Sequence, residues 1–177
     1  PRGMIIGIVA MTVVVAASNY LVQFPVNDWV TWGAFTYPVA FLVTDLTNRV
    51  AGAQKARMVV YTGFAVGVAL SLWLADWRIA AASGTAFLAE QLLDVAVFDR
   101  LRQGRWWKAP LVSTLLASVV DTVIFFSLAF AGSGLPWMTW AVGDFAAKLA
   151  MALLLLGPFG LLSRHLPTLS VERALRA

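Results

Sequence analysis

Gly3 to Phe24 runs without a single charged side chain. A bilayer core about 30 Å thick is crossed by roughly 20 apolar residues in a helix, because unpaired backbone amides cannot be left in hydrocarbon. The run meets that length and lacks the basic start and small-residue exit of a cleaved signal peptide. It reads as a first membrane span. Five more segments of similar length follow: about Trp29 to Asn48, Met58 to Trp77, Ile79 to Leu101, Ala109 to Phe130 and Trp137 to Leu162. Pro38 interrupts the second, where its missing amide proton and its ring predict a kink or an opened hydrogen-bond ladder. A very short link around Asp76, Trp77 and Arg78 joins the third to the fourth. The turn AGSGLP, Ala131 to Pro136, joins the fifth to the sixth. In a chain of 177 residues, 60% hydrophobic and 12% charged, nothing remains for a soluble catalytic domain. The expected fold is all-α, a polytopic six-transmembrane-helix bundle forming one integral membrane domain over residues 1–177.

Basic residues near span ends stay on the cytoplasmic side. Arg2, Arg49, Lys55, Arg57, Arg100, Arg102, Arg105, Lys108, Arg164, Arg173 and Arg176 fall at one set of ends, Arg78 at the other, and Lys148 inside a span. That asymmetry predicts cytoplasmic termini and an even number of crossings. Trp29, Trp32, Trp73, Trp77, Trp137 and Trp140 fall near the outer ends, Trp106 and Trp107 near the inner ends, as an interfacial belt requires. With no cysteine in the chain, disulfides, thiolate metal sites and cysteine nucleophiles are excluded. The one histidine, His165, follows the last span, and no phosphate-binding loop is present, so neither a serine–histidine protease nor an ATPase fits. No metal site, cofactor or nucleic-acid partner is implied.

Charges inside the spans are expensive, about 2.5 to 3.5 kcal/mol each on insertion scales, so each is paired, hydrated or useful. Glu90 and Asp94 lie one turn apart on the fourth span without a cation on their own helix, and repel unless a positive group or a shared proton lies between them. Asp121 shares its face of the fifth span with Thr114, Ala117, Ser118 and Phe125, small or polar residues suited to a close contact or a wet cavity. Asp144 and Lys148, also four apart, form either a structural ion pair or a substrate contact. Asp45, with Asn48 and Arg49, closes the second span, either as a companion to Arg49 or as part of a site. Gly63 and Gly67 form a G-x-x-x-G pair, which serves packing within the bundle or a homo-oligomer interface.

Three stretches carry a resemblance: TWGAFTYPVAFLVTDLTNRVAGAQKAR (Thr31 to Arg57), EQLLDVAVFDRLRQ with WWKAPLVSTLLASVVDTVIFFSLAF (Glu90 to Phe130), and the D-x-x-x-K at Asp144 to Lys148. Together they resemble the queuosine precursor transporter family of bacterial inner-membrane proteins, also called the VUT family. The resemblance implies uptake of 7-cyano-7-deazaguanine and 7-aminomethyl-7-deazaguanine for tRNA modification. A guanine-like ring offers adjacent N1–H and amino donors that one carboxylate, Asp121 or Asp94, can accept together. Its keto oxygen would take a donor from Lys148, Asn48 or Gln91, and its face would stack on Tyr37, Phe41 or Trp140. Glu90, Asp45 and Asp144 complete the acidic surroundings that suit the cationic aminomethyl form. The partners expected are thus this small base and the lipid bilayer. The alternative is the substrate-binding membrane subunit of an energy-coupling-factor importer, although Ala10, Ala16 and Ala17 lack the A-x-x-x-A spacing of its docking motif.

Overall fold

The computed structural model describes residues 2–21, 24–27, 29–74 and 77–166. Apolar sequence becomes helix almost throughout, as α1 (Arg2–Leu21), α2 (Gly33–Thr36), α3 (Val39–Ala51), α4 (Ala53–Leu74), α5 (Trp77–Leu101), α6 (Lys108–Phe130) and α7 (Trp137–His165). Among the described residues, α1, α4, α5, α6 and α7 are each long and apolar enough to cross a membrane unaided. Asp76, Arg173 and Arg176 lie outside the described residues.

The segment expected to be helical from Trp29 takes a different form and is corrected here. Pro25–Asn27 (β1) and Val30–Thr31 (β2) pair as a short antiparallel hairpin. Asn27 causes it: its Oδ1 accepts the amides of Trp29 and Val30 at 2.9 and 3.0 Å, a local bond that competes with helix formation. Helix begins only at Gly33, stops after Thr36, and resumes at Val39 beyond Pro38. The expected interruption is therefore present as an opened ladder: Tyr37 and Pro38 keep helical dihedrals, but proline supplies no amide and Ala40 and Phe41 bond back only three residues, to Tyr37 and Pro38. α3 then runs on to Ala51, and Gly52 ends it with φ of 87°, a conformation that glycine tolerates best. α4 likewise starts earlier than Met58 and ends before Trp77, which instead opens α5.

Helices in lipid gain no hydrophobic attraction for one another, so close packing of small residues has to hold them. α1 and α4 illustrate this. A Cβ added at Gly63 would lie 2.6 Å from Met11 Cγ, and one at Gly67 would lie 3.4 Å from Val15 Cγ1. The G-x-x-x-G pair thus serves contact within the bundle. One turn further, Ser71 Oγ donates to Asn19 Oδ1 at 3.4 Å. Contacts 11/63, 15/67 and 19/71 advance together, so α1 and α4 run parallel. The bonds Thr44–Gln91 and Asn48–Val95 show the same for α3 and α5. The core between these helices holds Met11, Val15, Val59, Val60, Phe87 and Val95, while Ile6, Leu72, Val142 and Leu154 are exposed on the flanks. Arg78, the exceptional basic residue at its end of the bundle, donates to the carbonyls of Leu128 and Ala131 at 2.8 and 2.6 Å. It caps the C-terminus of α6, where a cation complements the helix dipole.

Gly63→Val is expected to destabilise the bundle by about 1 to 3 kcal/mol, the usual cost of overpacking. Gly157, whose added Cβ would meet nothing within 4 Å, is the control. Gly157→Ala should leave thermal unfolding in detergent unchanged or slightly raised, and equal melting points for the two variants would contradict the α1–α4 contact.

Candidate functional site

The buried face of α6 recurs every three or four residues, as Ser113, Thr114, Ala117, Ser118, Asp121 and Thr122. This is the face that meets α7 and its Asp144 and Lys148. Lys148 Nζ donates to Oδ2 of Asp121 and to Oδ2 of Asp144. Thr122 Oγ1 adds a bond to the same Asp144 oxygen at 3.3 Å. The side chains of Lys148 and Asp121 are 5% and 8% exposed and that of Asp144 is 21% exposed, so the trio is dry on one side and open on the other. An ammonium group desolvated this far needs such partners, because an isolated charge in hydrocarbon is not tolerated.

A cavity of about 140 Å³ opens beside the trio. Tyr37 and Phe125 give it aromatic walls, and Ser18 and Asn19 bring polar groups from α1. Ser18 Oγ is buried and has no hydrogen-bond partner among the described residues. Glu90, fully buried on α5, lies within reach of the Tyr37 hydroxyl and close enough to Asp121 and Lys148 for their charges to interact. Gln91 Nε2 approaches Glu90 Oε1 at 3.5 Å. With two carboxylates bonded to one lysine and Glu90 buried nearby, the site is an acidic cup with a single fixed cation.

A second acidic group lies deeper in the bundle. Asp94 follows Glu90 by four residues, hence by about 6 Å of helix rise. Asp45 of α3 lies against Asp94, with Ser113 of α6 beside both. Asp45, Asp94 and Asn48 are all at most 2% exposed. Asn48 Nδ2 donates to the Val95 carbonyl at 3.0 Å, but its Oδ1, both Asp94 oxygens and Asp45 Oδ1 have no hydrogen-bond partner among the described residues. The bond from Thr44 Oγ1 to Gln91 Oε1, 2.6 Å, separates this group from the outer cup.

Most of the residues singled out by sequence thus fall into two groups. Asp121, Asp144, Lys148 and Tyr37 come together at the 140 Å³ cavity, and Glu90 lies buried behind its lining, near Tyr37. Asp45, Asp94 and Asn48 form the deeper group, with Gln91 bound to Thr44 between them and Phe41 bordering a small space next to Asp45. Trp140 packs on Phe130, ring centroids 5.6 Å apart, and reaches the cavity wall only through the Phe130–Phe125 contact. Arg49 makes no ion pair with Asp45; its guanidinium lies over the Phe159 ring, 6.0 Å from the centroid. Sequence reasoning missed Ser18, Asn19, Ser113 and Thr122. Their signal was only that they are polar in apolar spans.

Residues 31–162 match the family described as "Putative vitamin uptake transporter", so the match takes in both acidic groups. The chain belongs to the queuosine precursor transporter, or VUT, family. A relative in Escherichia coli K12, "Queuosine precursor transporter", is 38% identical over 82% of this chain and 79% of its own length. A "Probable queuosine precursor transporter" of Haemophilus influenzae is 36% identical, covering 90% of this chain and 88% of the relative. One from Bacillus subtilis is 26% identical over 70% and 67%. No solved structure matches significantly. This VUT family member is a multi-pass membrane protein, in bacteria of the inner membrane.

Lys148→Met strips the trio of its cation and leaves Asp121 buried and unpaired, which is expected to cost about 3 to 5 kcal/mol. Adding Asp121→Asn to it should recover part of that loss in thermal unfolding. Simple additivity of the two substitutions would contradict the ion pair.

Proposed function

We propose that this VUT family member is a carrier, not an enzyme, that imports queuosine precursors, the cyano and aminomethyl forms of 7-deazaguanine. The observation that carries the reading is the cavity of about 140 Å³ in which an Asp–Lys–Asp trio meets two aromatic walls. It is smaller than the ~300–1,000 Å³ of sites for drug-sized ligands and so suits a small flat base. Its groups match the edges of a guanine-like ring. Asp121 accepts the N1–H and exocyclic amino donors as a fork, and Lys148, staying on Asp144, turns to the keto oxygen. Tyr37 or Phe125 stacks on the ring face, an interaction worth about 1 to 3 kcal/mol per base. The surplus of carboxylate over lysine favours the cationic aminomethyl form. Substrate recognition belongs to this outer cup alone.

Six crossings supply the frame for such a carrier, the broken α2–α3 segment counting as one, with both termini cytoplasmic. The parallel courses of α1 with α4 and of α3 with α5 support that count, because each pair needs one intervening crossing. The basic residues of the α3–α4 and α5–α6 connections support the orientation. In this orientation the cavity lies in the outer half of the bundle.

Labelled precursor uptake, read as queuosine in the tRNA of cells unable to make the precursor, tests the reading. Asp121→Asn is expected to lower uptake by at least about tenfold, the equivalent of one charge-assisted hydrogen bond of about 1.5 to 3 kcal/mol. Asp144→Asn should weaken the aminomethyl form more than the cyano form. Variants that insert normally and transport both forms at full rate would refute the site. Uptake by the purified chain in liposomes without an ATPase separates a carrier from an energy-coupling-factor subunit.

A further inference from the structure

The two acidic groups differ in one respect that decides what the deeper one does. In the outer cup the fold supplies a lysine to its carboxylates, whereas the ion pairs of the described residues leave Asp45 and Asp94 without a cation. The groups facing them on every side are known. From α3 come Asn48 and, one turn beyond Asp45, Arg49, whose guanidinium lies 6.0 Å from the Phe159 ring centroid, makes no ion pair with either aspartate and leaves its buried Nε without a hydrogen-bond partner among the described residues. From α5 come Glu90 and Gln91, a turn towards the outer cup. α6 contributes the Ser113 hydroxyl, while α4 packs on α3 through apolar Ala56, Val59 and Val60, and α7 presents apolar Phe159 and Ala152. Two carboxylates held together in a dry place repel strongly; two charges 4 Å apart interact by about 4 kcal/mol at an effective dielectric of 20. A structural role would be filled better by neutral, mutually bonded side chains.

Asn48 supplies an independent sign of a missing ligand. Its amide nitrogen is anchored on the carbonyl of Val95, the residue after Asp94, so its Oδ1 is held at the level of the pair, fully buried and without a donor. Four acceptor oxygens there lack donors: two on Asp94, one on Asp45 and one on Asn48. Among the described residues no third acidic or imidazole side chain joins the pair, and one positive charge is enough to offset the repulsion between two neighbouring carboxylates.

We infer that Asp45 and Asp94, with Asn48 and Ser113, hold a monovalent coupling cation, a proton or a sodium ion, at a site distinct from the substrate cavity. The inference rests on the carrier reading above. Its linkage to the substrate runs through two helices. α3 carries Asp45 eight residues from Tyr37, across the Pro38 break, and α5 carries Asp94 one turn from Glu90. A cation that draws Asp45 and Asp94 together holds α3 on α5, and the same two helices place Tyr37 and Glu90 at the outer cup. The Thr44–Gln91 bond ties them between the two sites. Occupation of one site then biases the arrangement of the other, and the effect is reciprocal.

The test uses the purified full chain in liposomes loaded with unlabelled precursor or empty, under an imposed pH or sodium gradient. The wild type is expected to accumulate labelled precursor under one of the two gradients, and which one identifies the cation. Asp94→Asn and Asp45→Asn should each lose gradient-driven accumulation by at least about tenfold, within the 5- to 150-fold span of ordinary coupling energies. Both should still exchange labelled for unlabelled precursor. Variants that accumulate like the wild type would overturn the inference, as would loss of exchange together with accumulation in folded protein. Should the variants not fold, the wild type alone decides: accumulation indifferent to both gradients refutes a coupling cation. A wild type that exchanges neither precursor refutes the carrier reading instead, so the two failures are told apart.

Discussion

The cost of keeping charge out of water governs this molecule. Among the described residues the charged groups lie at or near helix ends or in connections, except Asp45, Glu90, Asp94, Asp121, Asp144 and Lys148, which are gathered where helices α3, α5, α6 and α7 meet. A lysine there is tolerable because Asp121 and Asp144 both bind it, and Asp121 is tolerable because the lysine is there. Alone, each helix would carry its charge into the membrane interior at a cost of about 2.5 to 3.5 kcal/mol per group. The ion pair is thus a condition of the α6–α7 contact as much as a product of it. A preformed field of fixed charges beside a cavity needs little reorganisation when a polar ligand enters.

Around that centre the packing is made of small residues, not large ones. Gly63 and Gly67 let α1 lie on α4, and the buried alanines, serines and threonines of α6 let α5 and α7 come close. The leucines of the described residues stay out of the fully buried core, because lipid solvates them as well as protein would. The inside-out distribution has a functional side. A core built of small and hydroxylated residues leaves gaps that water or a base can fill, whereas interlocked leucines would close them.

The legibility of the fold in the sequence varied with the range of the interaction. Apolar runs of membrane length gave five continuous helices to within a few residues, because length and polarity are local properties. Pro38 announced its break for the same reason. The hairpin at residues 25–31 was not foreseen, since residues 25–28 fell between the first two spans and Trp29 to Thr31 read as the start of the second, whereas the Asn27 bonds that close the turn carry no periodic signal. Within one helix, the four-residue spacing of Asp144 and Lys148 correctly suggested an ion pair. Their third partner, Asp121, lies on another helix, and no spacing encodes that. Asp45 shows the same limit in a sharper form: its neighbour Arg49 looked like a companion, but the fold turns the aspartate to Asp94 and the arginine to Phe159.

Two acidic sites stacked along the same helices also explain why the break at Pro38 stands where it does. A continuous helix from Gly33 to Ala51 would move Tyr37 and Asp45 as one rigid rod, so any shift at one site would be imposed at the other in full. The opened ladder separates α2, which borders the cavity beside the hairpin, from α3, which is bonded to α5 through Thr44 and Asn48. Broken helices are tolerated in a bilayer only where neighbours or a cavity accept the freed backbone groups. Here the break faces the cavity, so the element that costs the bundle most in hydrogen bonds is also the one placed to respond to what the cavity holds.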